Sequence, residues 1–384
     1  MPKRVALLGS TGSIGKNVIS VISAMKKDFR ITSLAAHRNI DALARQIAEI
    51  RPELAVIRDE RLLPRLKEMT SAVKTDILAG EDALVEIARD PNNDLVFQAM
   101  SGAAGLPVSL AAVKAGRPLA LANKESLVAA GHILIPLAVQ TGSRIIPVDS
   151  EHSAIMQLLE CGGRSSIKRV IITASGGALF DRKQEDLDSI RPDEALNHPT
   201  WSMGRRITID SATLMNKALE IIEAKWLFNL DPSQIEVVIH RQSIVHSFVE
   251  FCDNSVYAQM SVPDMRLPIQ YALTYPERRP GGIRPLDLAE IKSLTFEKPD
   301  FARFPSLALG FDVAREGGTC GAVLNAADEA AVEAFLDGKI PFTQIIPTVK
   351  AVLDNHENIR EATIEHILAA DKWARTEAEK CMQS

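Results

Sequence analysis

A glycine-spaced turn set between a short apolar run and a helical pattern constrains this chain more than any other feature. Residues 5–8 read as a buried strand, Gly9-Ser-Thr-Gly-Ser-Ile-Gly15 follows at once, and residues 14–25 carry helical periodicity. A glycine backbone can approach a pyrophosphate closely, and the N-terminus of the next helix offers unpaired N–H groups and a favourable dipole. A plain strand-to-helix turn would show the same three glycines; the strand before and the helix after favour the binding loop. The alternation continues with strands at 31–36, 95–98 and 118–122 and a helix at 42–50. The later strands end where ligands bind in open α/β sheets, so residues 1–149 are expected to form an α/β Rossmann-like parallel sheet.

The end of the second strand bears on which nucleotide binds. It reads Ala36-His-Arg-Asn39 and carries no acid for a ribose 2′-hydroxyl. Arg38 can instead pair with a 2′-phosphate through its planar fork, which favours NADP over NAD. A solvated surface arginine is the plain alternative.

Beyond about residue 144 the texture changes. Strands are expected at 170–174, 237–240, 245–251 and 256–260, with Asp253-Asn254 as a hairpin turn and a helix at 211–228 between them. Residues 278–285 are rich in Pro, Gly and Arg and read as a linker, and long helical patterns at 322–336 and 345–353 mark a helical tail. The expected partition is therefore 1–149 for the Rossmann-like domain, 150–277 for an α+β catalytic domain, 278–304 for a linker and 305–384 for a C-terminal helical domain. A net charge of −5 gives no basic footprint for nucleic acid or an anionic membrane. No apolar run is long enough to span a bilayer. Four scattered cysteines without Cys-x-x-Cys spacing fit a reducing cytoplasm better than a disulfide framework or a thiolate zinc site.

Three acids narrow the chemistry. Asp149 and Glu151 are two apart, so on an extended segment both point the same way. Glu220 belongs to the helix expected to begin near Ser211. Three converging carboxylates would repel one another, and a divalent cation removes that cost; all-oxygen donors suit Mg²⁺ or Mn²⁺. By spacing alone, two surface acids and an unrelated helix glutamate explain the residues equally well. Ser211, Asn216 and Lys217 near one helix, and Ser175 in Ala174-Ser-Gly-Gly177, are good phosphate ligands, although each serine taken singly reads as a cap or turn residue. His198-Pro-Thr-Trp-Ser-Met-Gly204 places Trp201 and Met203 in a polar loop, as in a lid over a ligand; a core tryptophan is the commoner case.

Five motifs in order carry a resemblance: Gly9-Ser-Thr-Gly-Ser-Ile-Gly15, Leu121-Ala-Asn-Lys-Glu-Ser-Leu127, Pro147-Val-Asp-Ser-Glu-His152, His198-Pro-Thr-Trp-Ser-Met-Gly204 and Asp210-Ser-Ala-Thr-Leu-Met-Asn-Lys217. Together they resemble the 1-deoxy-D-xylulose 5-phosphate reductoisomerase family from the first strand to the helical tail. The resemblance implies a cytoplasmic homodimer that uses NADPH and Mg²⁺, Mn²⁺ or Co²⁺ to rearrange and reduce 1-deoxy-D-xylulose 5-phosphate to 2-C-methyl-D-erythritol 4-phosphate, the non-mevalonate route to isoprenoids. It implies metal ligation by Asp149, Glu151 and Glu220, and a phosphate pocket of Ser175, Ser211, Asn216 and Lys217. Lys124, Ser150 and His198 would surround the sugar carbons, with Lys124 and His198 joining the three acids as catalytic groups, and Trp201 and Met203 would form the lid. Thr11, Gly12, Ser13, Ile14, His37, Arg38, Asn39, Asn123, Glu125 and Gly204 would contact NADPH; His37 stands where members often carry glycine. Two other readings fit the glycine loop, a plain NADP-dependent dehydrogenase without rearrangement and a redox-sensing NADP-binding regulator, but neither needs the acids or the phosphate helix.

Overall fold

The computed structural model describes residues 1–163 and 166–383. The chain groups into two compact units. One comprises Met1–Asn123, Leu134–Ser153 and Asp264–Ile283; the other comprises Lys124–Ile133 and the described residues of Ala154–Pro263 and Arg284–Ser384.

The first unit is built on seven parallel strands: β1 (Lys3–Leu8), β2 (Phe29–Ala36), β3 (Leu54–Ile57), β4 (Asp76–Ala79), β5 (Leu95–Gln98), β6 (Leu119–Leu121) and β7 (Ile145–Pro147). Helices α1 (Ser13–Ala24), α2 (Ile40–Ile50), α3 (Leu63–Met69), α4 (Glu81–Arg89) and α5 (Leu106–Lys114) connect them, and α6 (Lys124–Thr141) precedes β7. Val5 to Leu8 are fully buried, which is why β1 reads as an unbroken apolar run: a parallel strand with helices on both faces has no solvent side. The strand order is β4-β3-β2-β1-β5-β6-β7. The winding therefore reverses between β1 and β5, the place where doubly wound sheets bind ligands. Gly9 sits at that reversal with φ +88°. A Cβ there would stand 2.3 Å from the Ala99 carbonyl oxygen at the end of β5, so the position admits glycine alone.

After α7 (Ser150–Gly162), the second unit carries β8 (Ile167–Ala174), α8 (Pro192–Ala195), α9 (Arg205–Ala212), α10 (Met215–Phe228), β9 (Ile235–Ile239), β10 (Val245–Phe251) and β11 (Val256–Met260). Its sheet runs β11-β10-β8-β9, with β8 and β9 parallel and β10 antiparallel to both β8 and β11. The expected hairpin turn is present: Asn254 has φ +65°, and the Asp253 side chain accepts from the Ser255 N–H at 3.0 Å. α11 (Arg266–Thr274) belongs to the first unit and packs on α1. Beyond α12 (Leu288–Ile291) the chain is helical: α13 (Ser306–Glu316), α14 (Cys320–Leu336), α15 (Ile345–Asp354) and α16 (Ile364–Gln383). α14 is the hub, packed by α15 and α16, and α13 lies on α10. Among the described residues no helix is long and apolar enough to cross a membrane.

Two local expectations are corrected. The helix read over 211–228 is two helices, because Leu214 takes φ +57° and breaks the run; Ser211 thus lies in the last turn of α9, not at a helix start. Asp149 and Glu151 do not share an extended segment either. Glu151 is already in the first turn of α7, and the Asp149 carbonyl accepts from the Ser153 N–H at 2.8 Å.

Candidate active site

In the first unit, the loops after β1 and β2 frame a cleft of about 230 Å³ lined by Gly9, Thr11, Gly12, Ala35, Ala36 and His37, among others. Gly12 is the N-cap of α1, and Ser13 and Ile14 open that helix. Ser10 fixes the loop to α2: its hydroxyl donates to Gln46 at 2.7 Å, and Gln46 returns a bond to the Ser10 carbonyl at 2.9 Å. His37, Arg38 and Asn39 are all exposed at the end of β2. Asn39 also caps α2, accepting from the Ala42 N–H at 3.0 Å. Partial desolvation, followed by the charges of Arg58 and Arg38, holds the His37 imidazole below its ordinary pKa. Asn123 is buried and donates to the Gly102 carbonyl at 2.9 Å, bracing the loop after β5. Asp149 and Ser150 follow β7 in the same unit, and the Ser150 hydroxyl donates to Glu151 at 2.5 Å.

The second unit holds the cationic part. Lys124 opens α6, while Asn216, Lys217 and Glu220 stand on successive turns of α10. All three of the other side chains converge on the Glu220 carboxylate. Oε1 accepts from Lys124 Nζ at 3.1 Å and Asn216 Nδ2 at 2.7 Å; Oε2 accepts from Lys217 Nζ at 2.6 Å. Lys124 Nζ also donates to Asn216 at 2.9 Å. Two ammonium groups meet at this buried carboxylate, and charged donors of this kind also suit a phosphate.

The loop carrying Ser175 meets the end of α9 carrying Ser211 by a route the sequence does not display. Gly177, at φ +77°, packs so closely that a Cβ would lie 2.4 Å from the Ser211 carbonyl oxygen, so the β8 loop rests on the end of α9. Ser175 meets His198, Oγ to Nε2 at 2.9 Å. The other ring nitrogen, Nδ1, accepts from the N–H groups of Thr200 and Trp201 at 3.2 and 3.0 Å. An accepting Nδ1 places the proton on Nε2, which then donates to Ser175. Burial pushes the His198 pKa down to about 4, so the ring is neutral at physiological pH.

Trp201 is half-exposed, not a core residue, and its ring lies 6.2 Å from that of His246. Met203 is half-buried and Gly204 exposed, so the loop presents its apolar groups without a helix or strand to hold them. Glu125 lies in this second unit and accepts from Arg206 at 3.1 Å. Sequence reasoning missed Arg206. Its guanidinium, on the first turn after the loop, also reaches Glu329 at 2.7 Å, Asn325 at 2.8 Å and Asp328 at 3.1 Å. The i,i+4 spacing of Arg206 and Asp210 was its one local signal. His246 was missed as well, since a histidine inside an apolar strand carries no motif.

A glycine-loop cleft at a sheet reversal, in one unit, and a buried ammonium pair with a histidine–serine contact, in the other, define a dinucleotide-dependent enzyme with a site for a small anionic substrate. Comparison with known proteins agrees along the whole chain. Residues 5–131 match the profile of 1-deoxy-D-xylulose 5-phosphate reductoisomerase, residues 145–228 that of its C-terminal domain, and residues 260–377 that of the DXP reductoisomerase C-terminal domain. The 1-deoxy-D-xylulose 5-phosphate reductoisomerase of Moorella thermoacetica is 52% identical over 378 residues, covering 98% of each chain. That of Trichlorobacter lovleyi is 49% identical over 376 residues, covering 98% of this chain and 96% of its own. Among solved structures, a DOX-P reductoisomerase in complex with NADPH, fosmidomycin and magnesium superposes with a TM-score of 0.94 at 41% identity, covering 99% of this chain and 98% of the other. The Zymomonas mobilis enzyme in complex with NADPH gives 0.93 at 40% identity, covering both chains completely. The chain belongs to the 1-deoxy-D-xylulose 5-phosphate reductoisomerase family.

Proposed function

We propose a division of labour among the named residues for the reaction of this family. The chain converts 1-deoxy-D-xylulose 5-phosphate to 2-C-methyl-D-erythritol 4-phosphate in isoprenoid biosynthesis, using NADPH and a divalent metal. Both groups fit the residues present. The glycine loop lines a cleft with Gly9, Thr11 and Gly12, where backbone can approach a pyrophosphate, and Asp149, Glu151 and Glu220 offer only the oxygen donors that Mg²⁺ prefers. Thr11, Gly12, Ser13 and Ile14 would take the pyrophosphate, His37, Arg38 and Asn39 the adenosine end, and Asn123, Glu125 and Gly204 the remainder of NADPH. A metal held by the three acids supplies Lewis acidity at the substrate's carbonyl and hydroxyl oxygens.

The rest of the work falls to side chains. Lys217, Asn216, Ser211 and Ser175 bind the substrate phosphate, and this remote grip orients the sugar. Lys124 and Ser150 bear on the sugar oxygens. Neutral His198 offers an Nε2–H donor, not a charge. Trp201 and Met203 cover the sugar and exclude water. The observation that carries these roles is the grip of Lys124, Asn216 and Lys217 on the Glu220 carboxylate. A cytoplasmic homodimer with the partition 1–149, 150–277, 278–304 and 305–384 completes the proposal, and light scattering of the purified protein tests the dimer.

The decisive assay mixes purified protein with deoxyxylulose phosphate, NADPH and Mg²⁺ and follows loss of reduced-nicotinamide absorbance. Turnover that survives a chelator would refute the metal role. Oxidation of NADPH without formation of the branched polyol phosphate would refute rearrangement.

A further inference from the structure

Two arginines stand near the end of β2, and the nucleotide cleft treats them differently. Arg38 is directed outward: its side chain is 65% exposed, and its Nε lies 3.2 Å from Asp59. Asp59 is also gripped by Arg61, through Nε at 2.8 Å and Nη2 at 2.6 Å, so Arg38 leans on an acid already fully engaged. Arg58 lines the cleft itself, with Gly9, Gly12 and His37. It directly follows β3, and its backbone N–H donates to the Ala36 carbonyl at 2.9 Å, which lays it against the end of β2. Its charge bears on the His37 ring more strongly than that of Arg38. Its side chain donates to Glu81 in the first turn of α4, at 2.6 and 3.2 Å. The Glu81 side chain is 66% exposed, and an ion pair so open to water holds weakly.

We infer that Arg58 is the residue that selects NADPH over NADH: its guanidinium releases Glu81 and takes the 2′-phosphate inside the cleft, while Arg38 remains with Asp59 at the rim. A planar fork meets a phosphate through two N–H groups, and those bonds have no counterpart on a 2′-hydroxyl. A simpler role, an ion pair that steadies the start of α4, would not depend on the cofactor. The inference rests on the NADPH reading of the first unit.

The test is a titration of the full-length protein, without substrate, by NADPH, NADH, 2′-AMP and 5′-AMP, followed by calorimetry. Arg58→Gln is expected to weaken NADPH and 2′-AMP by about tenfold or more, the scale of a lost charge-assisted bond. NADH and 5′-AMP should stay within about twofold. Arg58→Lys should keep part of the preference, Arg38→Gln should lose less than Arg58→Gln, and Glu81→Gln should tighten NADPH by freeing the fork. Equal loss for both dinucleotides in Arg58→Gln, or loss of the preference in Arg38→Gln alone, overturns the assignment. A wild-type protein without NADPH preference overturns the underlying reading; a wild-type preference that survives in Arg58→Gln overturns only the role of Arg58.

Discussion

Lys124 Nζ and Glu220 Oε1 meet at 3.1 Å, with side chains 8% and 1% exposed, joining the start of α6 to the middle of α10 across 96 positions of sequence. Lys217 approaches the second oxygen of the same carboxylate. Two buried ammonium groups therefore share this carboxylate. Glu220 is thus tied both to the folding of the cationic pocket and to the hard-cation role proposed for it.

Glu220→Gln separates the two. The amide still accepts one hydrogen bond, but it removes the negative charge that both ammonium groups share. Breaking a buried pair costs on the order of 3–5 kcal/mol. A chain of 384 residues should still fold. Turnover should fall by ~10²–10³ or more, because charge developing on substrate oxygens loses its stabilisation. NADPH affinity should be unchanged, because Glu220 is not among the residues proposed to contact it. Metal titration of NADPH oxidation, alongside thermal unfolding, checks this; near-normal turnover at the same metal concentration would remove Glu220 from the ligand set.

How much of this was legible in the sequence differs by element. β1, the glycine loop and α1 were plain, because strand, turn and helix there obey local rules and Gly9 answers a steric demand. The break at Leu214 was not. A leucine at φ +57° is disfavoured, so packing of the second unit imposes it, and no Gly or Pro announces it. The start of α7 was missed although Asp149 is a good N-cap residue, because the strand pattern before it was extended through it. The Lys124–Glu220 pair was named residue by residue but not as a pair, since contacts across 96 positions have no periodicity to read.

Trp201→Ala should separate lid from core. The indole is half-exposed, and its ring lies tilted 6.2 Å from that of His246. Surface truncations of this kind usually stay within about 0.5 kcal/mol of wild type. The substrate KM should rise and kcat fall, with NADPH affinity intact, because the lost contribution is water exclusion over the substrate. Global unfolding of the variant would show that Trp201 is structural.

His198 gives a pH prediction with a definite sign. Burial takes its pKa from 6.5 down to about 4. Between those values the unfolded chain binds a proton that the native ring refuses. Its contribution to stability is therefore present above 6.5 and is lost as pH falls towards 4. Thermal unfolding of wild type over that window should show a slope steeper than that of His198→Gln by about one proton. The rate profile from neutral to mildly alkaline pH should carry no inflection from this ring.

Arg206 carries the last prediction, at the junction of the loop with the helical tail. Five side-chain acceptors surround it: Glu125, Asp210, Asn325, Asp328 and Glu329. Four of these are carboxylates, and Glu329 also accepts from a second arginine, Arg375, at 2.6 Å. The excess negative charge is relieved by a proton. Burial, and then the charge of Asp328, raise the Asp210 pKa well above the carboxylate range. Asp328 is the member that stays charged, because Arg206 holds it at 3.1 Å and Asp210 only at 3.5 Å. The Oδ1 atoms of both acids otherwise find no hydrogen-bond partner, and a proton carried by Asp210 resolves that for both. A raised acid contributes stability that is lost as pH rises from its unfolded value towards its native one. Asp210→Asn, which imitates the protonated acid, should therefore match or exceed wild-type melting temperature at neutral pH and decline less on alkalinisation. Arg206→Met should instead cost on the order of 3–5 kcal/mol by stranding the acids. Arg206→Lys should recover only part, since one ammonium cannot reach every acceptor the fork reaches. If Asp210→Asn is as damaging as Arg206→Met, the buried pair is not sharing a proton.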